Sequence, residues 1–151
     1  MRGRVSSPAL YMRSTASQLI MDTDRKNSMI TLECPGEETH PEIAAVIVQN
    51  TAPWTYLGDR PVNVCPDASF DTGLDLLALK ALHLPGAVRL LAQMLSTRHN
   101  PHGRQILTRH DVPEFTLRAL RPLAFQLDGD YLGERSKVTF TAVPKAIRVF
   151  C

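Results

Sequence analysis

Eleven prolines are spread along the chain from Pro8 to Pro144, and they limit its fold more than any other feature. A prolyl nitrogen has no hydrogen to donate, so proline is kept out of helix interiors and central strands and confined to first turns, edges, bends and loops. In the last third, Pro113, Pro122 and Pro144 separate segments that otherwise read as strands: ILTRHDV, EFTLRAL, LAFQLDG, KVTFTAV and AIRVF. Phe115, Leu117 and Ala119 alternate with polar neighbours in one of these, and Val138, Phe140 and Ala142 in another. Such segments form short or edge strands with bends rather than one broad parallel sheet.

Upstream, SMITLEC alternates and is rich in strand formers, and Pro35-Gly36 ends it with a turn. IAAVIVQN is a continuous apolar run, the pattern of a strand buried on both faces. TAPWTYLGDRPVNVCPDASFDTG carries a proline or glycine every few residues and reads as ordered loop with short strand pieces, anchored by Trp54 and Tyr56. LDLLALKAL fits strand or helix by period alone, and its position after Gly73 and before the next helix favours a strand. Two helices are expected. Ser7-Pro8 has the form of an N-cap and first helical residue, with Ala9, Met12, Ala16 and Leu19 on one face over residues about 8 to 21. In LPGAVRLLAQMLS the stripe is Leu84, Val88, Leu91 and Leu95. The expected fold is therefore α+β and strand-rich, an antiparallel sandwich-like domain with about two packed helices.

At 151 residues with 44% hydrophobic composition, the chain has the size and apolar content of one domain, residues 1–151, with a real core. A net charge of +2 and a pI near 8.6 create no strong field for a polyanion. Arg98, Arg104, Arg109, Arg118 and Arg121 make the segment after residue 97 locally basic, but no aromatic stacking series accompanies them, so a solvated face is expected and no nucleic-acid partner. Cys34, Cys65 and Cys151 form no paired framework and no CxxC, which fits a reduced, cytoplasmic setting. His99 and His102 lack further ligands for zinc, and no metal site is expected. No apolar run is long enough to cross a membrane, and Met1 is followed by no apolar signal core.

The stretch QLDGDYLGE sets two carboxylates, Asp128 and Asp130, on either side of Gly129 between strand-like runs. Asp-Gly is among the strongest short hairpin signals and needs no chemistry to explain it. His110-Asp111 has the look of a catalytic pair, yet no nucleophile is tied to it by pattern, and a surface pair is the default. Asn50, at the end of an apolar strand, suits either a cleft-facing role or a local loop hydrogen bond. A glycosidase would need two acids about 5 to 10 Å apart across a sugar cleft, which nothing else supports.

Taken in order, several stretches resemble the C-terminal domain of the diacylglycerol kinase and sphingosine kinase family of lipid kinases. VQNTAPWTYLGDRPVNVCPDASFDTGLDLLAL is similar to the family's strand ending in asparagine, glycine-bearing loop, Pro-x-Ala segment and Gly-Leu strand opening. PLAFQLDGDYLGE is similar to its strand leading to Asp-Gly-Glu or Asp-Gly-Asp, and VTFTAVPKAIRVF to its closing strands. The resemblance covers nearly the whole chain from about residue 5.

It implies that a lipid hydroxyl attacks the γ-phosphate of ATP while Asp128 or Asp130 accepts the hydroxyl proton, Asp128 being the first choice because the resemblance places the motif aspartate there. It implies that Asn50, Trp54 and Tyr56 face the lipid, although a large aromatic in a proline-flanked loop also serves as a packing anchor. The family's nucleotide-binding half, with its GGDGT motif, is missing from the chain, so ATP and Mg²⁺ would be bound mainly by that absent domain. Some relatives hold magnesium through an aspartate just before the strand-opening glycine; here Thr72 stands there and Asp71 is one position off. Implied partners are a diacylglycerol-like or sphingoid lipid, peripheral contact with a membrane surface, the missing domain, and a second copy through an exposed apolar face. The other reading is a non-catalytic lipid-binding or interaction module.

Overall fold

The computed structural model describes residues 29–80, 84–96, 100–143 and 146. The helix expected over residues 8 to 21 and nearly all of the closing strand AIRVF lie outside the described residues. Among the described residues nine strands and one helix follow in order: β1 (Ile30–Glu33), β2 (His40–Ile43), β3 (Ala45–Gln49), β4 (Thr55–Leu57), β5 (Arg60–Val62), β6 (Leu74–Leu79), α1 (Leu84–Met94), β7 (Ile106–Val112), β8 (Glu114–Leu127) and β9 (Asp130–Thr141). They form a four-stranded sheet in the order β2-β1-β8-β9, a three-stranded sheet β3-β6-β7 and a small hairpin β4-β5. Every pairing is antiparallel.

β6 is the pivot of the packing. Its neighbours β3 and β7 pair on either edge, and its side chains alternate between two cores. Leu76 and Ala78 point to one with Leu32, Ile43, Val112 and Phe115, which closes the space between the two larger sheets. Leu77 and Leu79 point to the other, with Val62, Val64, Leu90 and Met94 of the β4-β5 hairpin and α1. A strand with apolar cover on both faces cannot alternate apolar and polar, which is why LDLLAL is continuous. β3 follows the same rule: Ala45 and Ile47 pack on the α1 side, Val46 and Val48 between the sheets. The domain is thus an α+β, strand-rich antiparallel sandwich with one described helix on its outer face.

Three expectations are corrected by packing. IAAVIVQN is not one strand: Ile43 belongs to β2, on the four-stranded sheet, and Ala45 starts β3 on the other, so the chain changes sheets at Ala44. The stripe expected on α1 is corrected at Val88 and Leu91, which are 62% and 49% exposed; Leu90 and Met94 are buried instead, and Leu95 is partly covered. The helix is apolar around more than one face, and spacing alone does not select between overlapping stripes. Pro122 does not end a strand, because β8 runs through it.

That passage is made by a bulge. Arg118 pairs with Lys137 and Leu123 with Arg135, so β8 carries the surplus residues between these points. Pro122, lacking an N–H, falls where no ladder bond is required. The ribbon beyond it also bends. Phe115 and Phe140 are register partners with rings stacked at 4.9 Å, and Phe125 meets the same Phe140 ring edge-on at 6.2 Å. On a straight strand Phe115 and Phe125 would lie roughly 33 Å apart. The distal half of the hairpin therefore folds back over the proximal half.

Candidate functional site

At the tip of this folded ribbon, Leu127 pairs with Asp130, leaving Asp128 and Gly129 as a two-residue loop. Their φ values are 49° and 90°. Both central residues of a type I′ turn require positive φ, which aspartate tolerates better than most side chains and glycine adopts without cost. Asp128 and Asp130 are both exposed, and neither carboxylate has a hydrogen bond or ion pair among the described residues. Around them stand exposed apolar side chains: Leu127, Leu132 and Tyr131, with Leu120, 87% exposed, at the bulge. Two solvated carboxylates on a rigid turn amid apolar surface can accept a proton from a hydroxyl carried by an apolar molecule.

A second polar centre lies where β6 meets β7. Asp75 is 2% exposed, and its carboxylate accepts the Nδ1–H of His110 at 2.8 Å and the backbone N–H of Asp111 at 3.1 Å. A register shift makes this possible: Leu74 pairs with Val112 and Leu76 with Arg109, so His110 and Asp111 together oppose Asp75. Asp111 takes φ 57° and its Oδ1 accepts the Gly73 N–H at 2.7 Å. Gly73 itself admits no side chain, since a Cβ would come within 2.8 Å of the Val112 carbonyl oxygen. The hydrogen bond that His110 makes to Asp75 holds the imidazole above its usual value; burial opposes this, and the charges of Asp75, Asp67 and Asp111 add smaller upward contributions. His110 is thus paired with Asp75 from another strand, and its sequence neighbour Asp111 serves the bulge.

The remaining candidates gather around the loops after β3. Asn50 is exposed; the adjacent Gln49 is the buried residue, accepting the Cys65 N–H at 2.8 Å and donating to the Thr51 carbonyl at 2.9 Å. Gln49 escaped notice because an amide ending an apolar strand gives no periodic signal of burial. Trp54 packs against the core beside α1. Tyr56 is exposed at the rim of a groove of about 440 Å³, formed with Ala52, Pro53, Pro61, Asn63, Pro66, Ser96 and Asn100. Asp128 and Asp130 are not among the residues lining it.

Of the basic residues, Arg109 on β7 donates to Glu37 in the β1-β2 turn at 3.1 Å and Arg118 on β8 to Glu33 on β1 at 2.7 Å, so both are tied to carboxylates. Among the described residues no group of three or more His, Cys, Asp or Glu side chains is arranged to hold a metal ion. No helix among them is long and apolar enough to cross a membrane.

Two solved structures share this architecture. One is a diacylglycerol kinase from Bacillus anthracis Sterne, 13% identical, with a TM-score of 0.54 over 87% of this chain and 48% of that one. Another is a putative diacylglycerol kinase from the same organism, 14% identical, with a TM-score of 0.54 over 97% of this chain and 52% of that one. The chain spans about half the length of these structures. No curated protein sequence matches it. Residues 5–151 match the YegS C-terminal NAD kinase beta sandwich-like domain, and the chain belongs to that family.

Proposed function

We propose that this domain is the acceptor-side half of an ATP-dependent lipid kinase, and that Asp128 takes the proton of a diacylglycerol-like or sphingoid hydroxyl as that oxygen attacks the γ-phosphate. The observation that carries this reading is the tip of the β8-β9 ribbon, where two exposed carboxylates with no partner among the described residues sit on a type I′ turn among Leu127, Tyr131 and Leu132. A carboxylate free of protein partners keeps its lone pairs available to a hydroxyl, and the surrounding apolar side chains suit the body of a lipid. Membership in the family and the kinase-like architecture support the reaction class.

The described residues do not fit the triphosphate or its magnesium. They contain no metal-ligating cluster, and none of the described residues lining the groove is cationic. Phosphoryl transfer depends on holding those phosphates in line, so the donor side belongs to a separate nucleotide-binding domain. Peripheral contact with a membrane, through the apolar residues of the ribbon, is part of the same proposal. The test is lipid phosphorylation by this chain combined with a nucleotide-binding domain of the family, compared with Asp128→Asn and Asp130→Asn. Turnover unchanged in both variants would remove the carboxylates from the chemistry and leave the tip as an ordinary hairpin.

A further inference from the structure

Helix α1 has a second apolar face besides the one it buries. Leu90 and Met94 meet the core, whereas Val88 and Leu91 are 62% and 49% exposed and Ala92 is exposed beside them. Val88, Leu91 and Ala92 stand at i, i+3 and i+4 and so form one row along the helix. Arg89 is the one charged residue among its 11. A surface helix of a globular domain sets a charged or polar face against water, and a helix apolar around its circumference is a buried one. The contacts of α1 with β6 and with the β4-β5 hairpin explain the Leu90 face alone. The row at Val88 calls for a second apolar neighbour.

Residues 8 to 21, which lie outside the described residues, carry a matching pattern in their sequence. At helical spacing Ala9, Met12, Ala16 and Leu19 share one face, with Ser14, Ser17 and Gln18 on the other. The two alanines in the apolar row allow close approach to a neighbouring helix. A helix of that length runs about 21 Å and α1 about 17 Å, so they match over about three turns. The connection to β1 is Asp22 to Met29, whose opening DTDRKNS is polar throughout. Extended, it reaches about 26 Å, against about 20 Å for the two layer spacings between β1 and α1.

A second copy of the chain fits the row less well. Its three side chains offer roughly 200–300 Å², far short of the roughly 800 Å² per partner that a stable dimer buries. A segment tethered by so short a connection meets the row at high effective concentration and needs much less area.

We infer that residues 8 to 21 form a helix that docks on the Val88, Leu91 and Ala92 face of α1 through Met12 and Leu19. Helix α1 is then a middle layer, with β6 and the hairpin on one side and this helix on the other. The inference does not rest on the lipid kinase reading, since it concerns apolar cover alone.

The full 151-residue chain tests it without any substitution. Methyl NMR should show NOEs from Met12 or Leu19 to Val88 or Leu91, and a mixture of labelled and unlabelled chains should show none of these between molecules. Val88→Glu adds a readout in which the sign decides. Glutamate is the better helix former of the two, so on a bare surface it should leave the melting temperature unchanged or raise it. Beneath Met12 or Leu19 it should lower it by about 5 °C or more. Leu19→Ala combined with Leu91→Ala should cost less than the two losses added. Absence of the NOEs in the folded chain, NOEs only between molecules, or no fall in melting temperature for Val88→Glu would each overturn the inference.

Discussion

The Nδ1 of His110 lies 2.8 Å from a carboxylate oxygen of Asp75, joining an exposed imidazole to a nearly fully buried acid on the neighbouring strand. The pairing raises the pKa of His110 above its ordinary value of 6.5. A group whose folded pKa is raised contributes stability that is complete below its unfolded pKa and is lost as pH rises through the folded one. The melting temperature should therefore decline from about pH 6.5 upward, over the span between those two values. His110→Gln should flatten that part of the profile. The same slope in both proteins would show that His110 is not its source.

Gly73 supports this centre from below. An alanine there would press its Cβ onto the Val112 carbonyl, a backbone atom that cannot swing away. Gly73→Ala should cost about 1–3 kcal/mol by overpacking. It should also disturb the His110 ring resonances more than those of His102, measured by chemical denaturation and by NMR. A variant as stable as the parent would mean that β6 and β7 can slide apart at little cost.

The turn at Asp128 separates backbone from chemistry. Its φ of 49° strains a β-branched side chain, so Asp128→Val should lose about 1–2 kcal/mol. Asp128→Gly and Asp128→Asn should melt close to the parent, since both residues suit a type I′ turn. In the reconstituted kinase, Asp128→Asn should nevertheless slow turnover by on the order of 10² to 10⁴, and Asp130→Asn by less. A greater loss at Asp130 would move the proton acceptor to that residue.

The turn was legible in QLDGDYLGE because its cause is local. Two adjacent residues must take positive φ, and Asp-Gly is the pair that does so most cheaply. SMITLEC and the helix of LPGAVRLLAQMLS were legible for the same reason, whereas the strand at Leu74–Leu79 was told from a helix by its place between Gly73 and that helix rather than by its own period. The His110–Asp75 pair was not, because the partners are brought together by the β6-β7 register and its bulge. The path of β8 through Pro122 was hidden in a similar way, since a proline reads as a strand end unless the neighbouring strand happens to leave a gap opposite it. The buried stripe of α1 depended on which of two apolar faces met Leu77 and Leu79, and helical periodicity carries no information about what lies across the interface.

Cys65 is buried, and its burial pushes the thiol up to about 12, with the charges of Asp75 and Asp67 adding. Burial raises Cys34 as well, helped by Glu37 and opposed by Arg109. Thiolate is the reactive form, so both should resist an aromatic disulfide reagent at pH 8 until the domain opens. Peptide mass mapping after brief labelling checks this. Rapid modification of Cys65 in the native chain would show that the loop anchored by Gln49 opens easily.

The order β2-β1-β8-β9 also has a consequence in time. Strand β1 finds its second neighbour at Thr116–Ala119, which emerges from the ribosome long after Ile30–Glu33. At about 5–20 residues per second that interval is on the order of ten seconds. During it Leu32 and Ile43 can gain cover from Leu76 and Ala78 of β6, while the edge of β1 that β8 will pair, among the described strands, stays open. A nascent chain of this domain is thus exposed to edge-to-edge misassociation along β1, and what closes that edge is synthesis of the β8 segment that will later present Asp128.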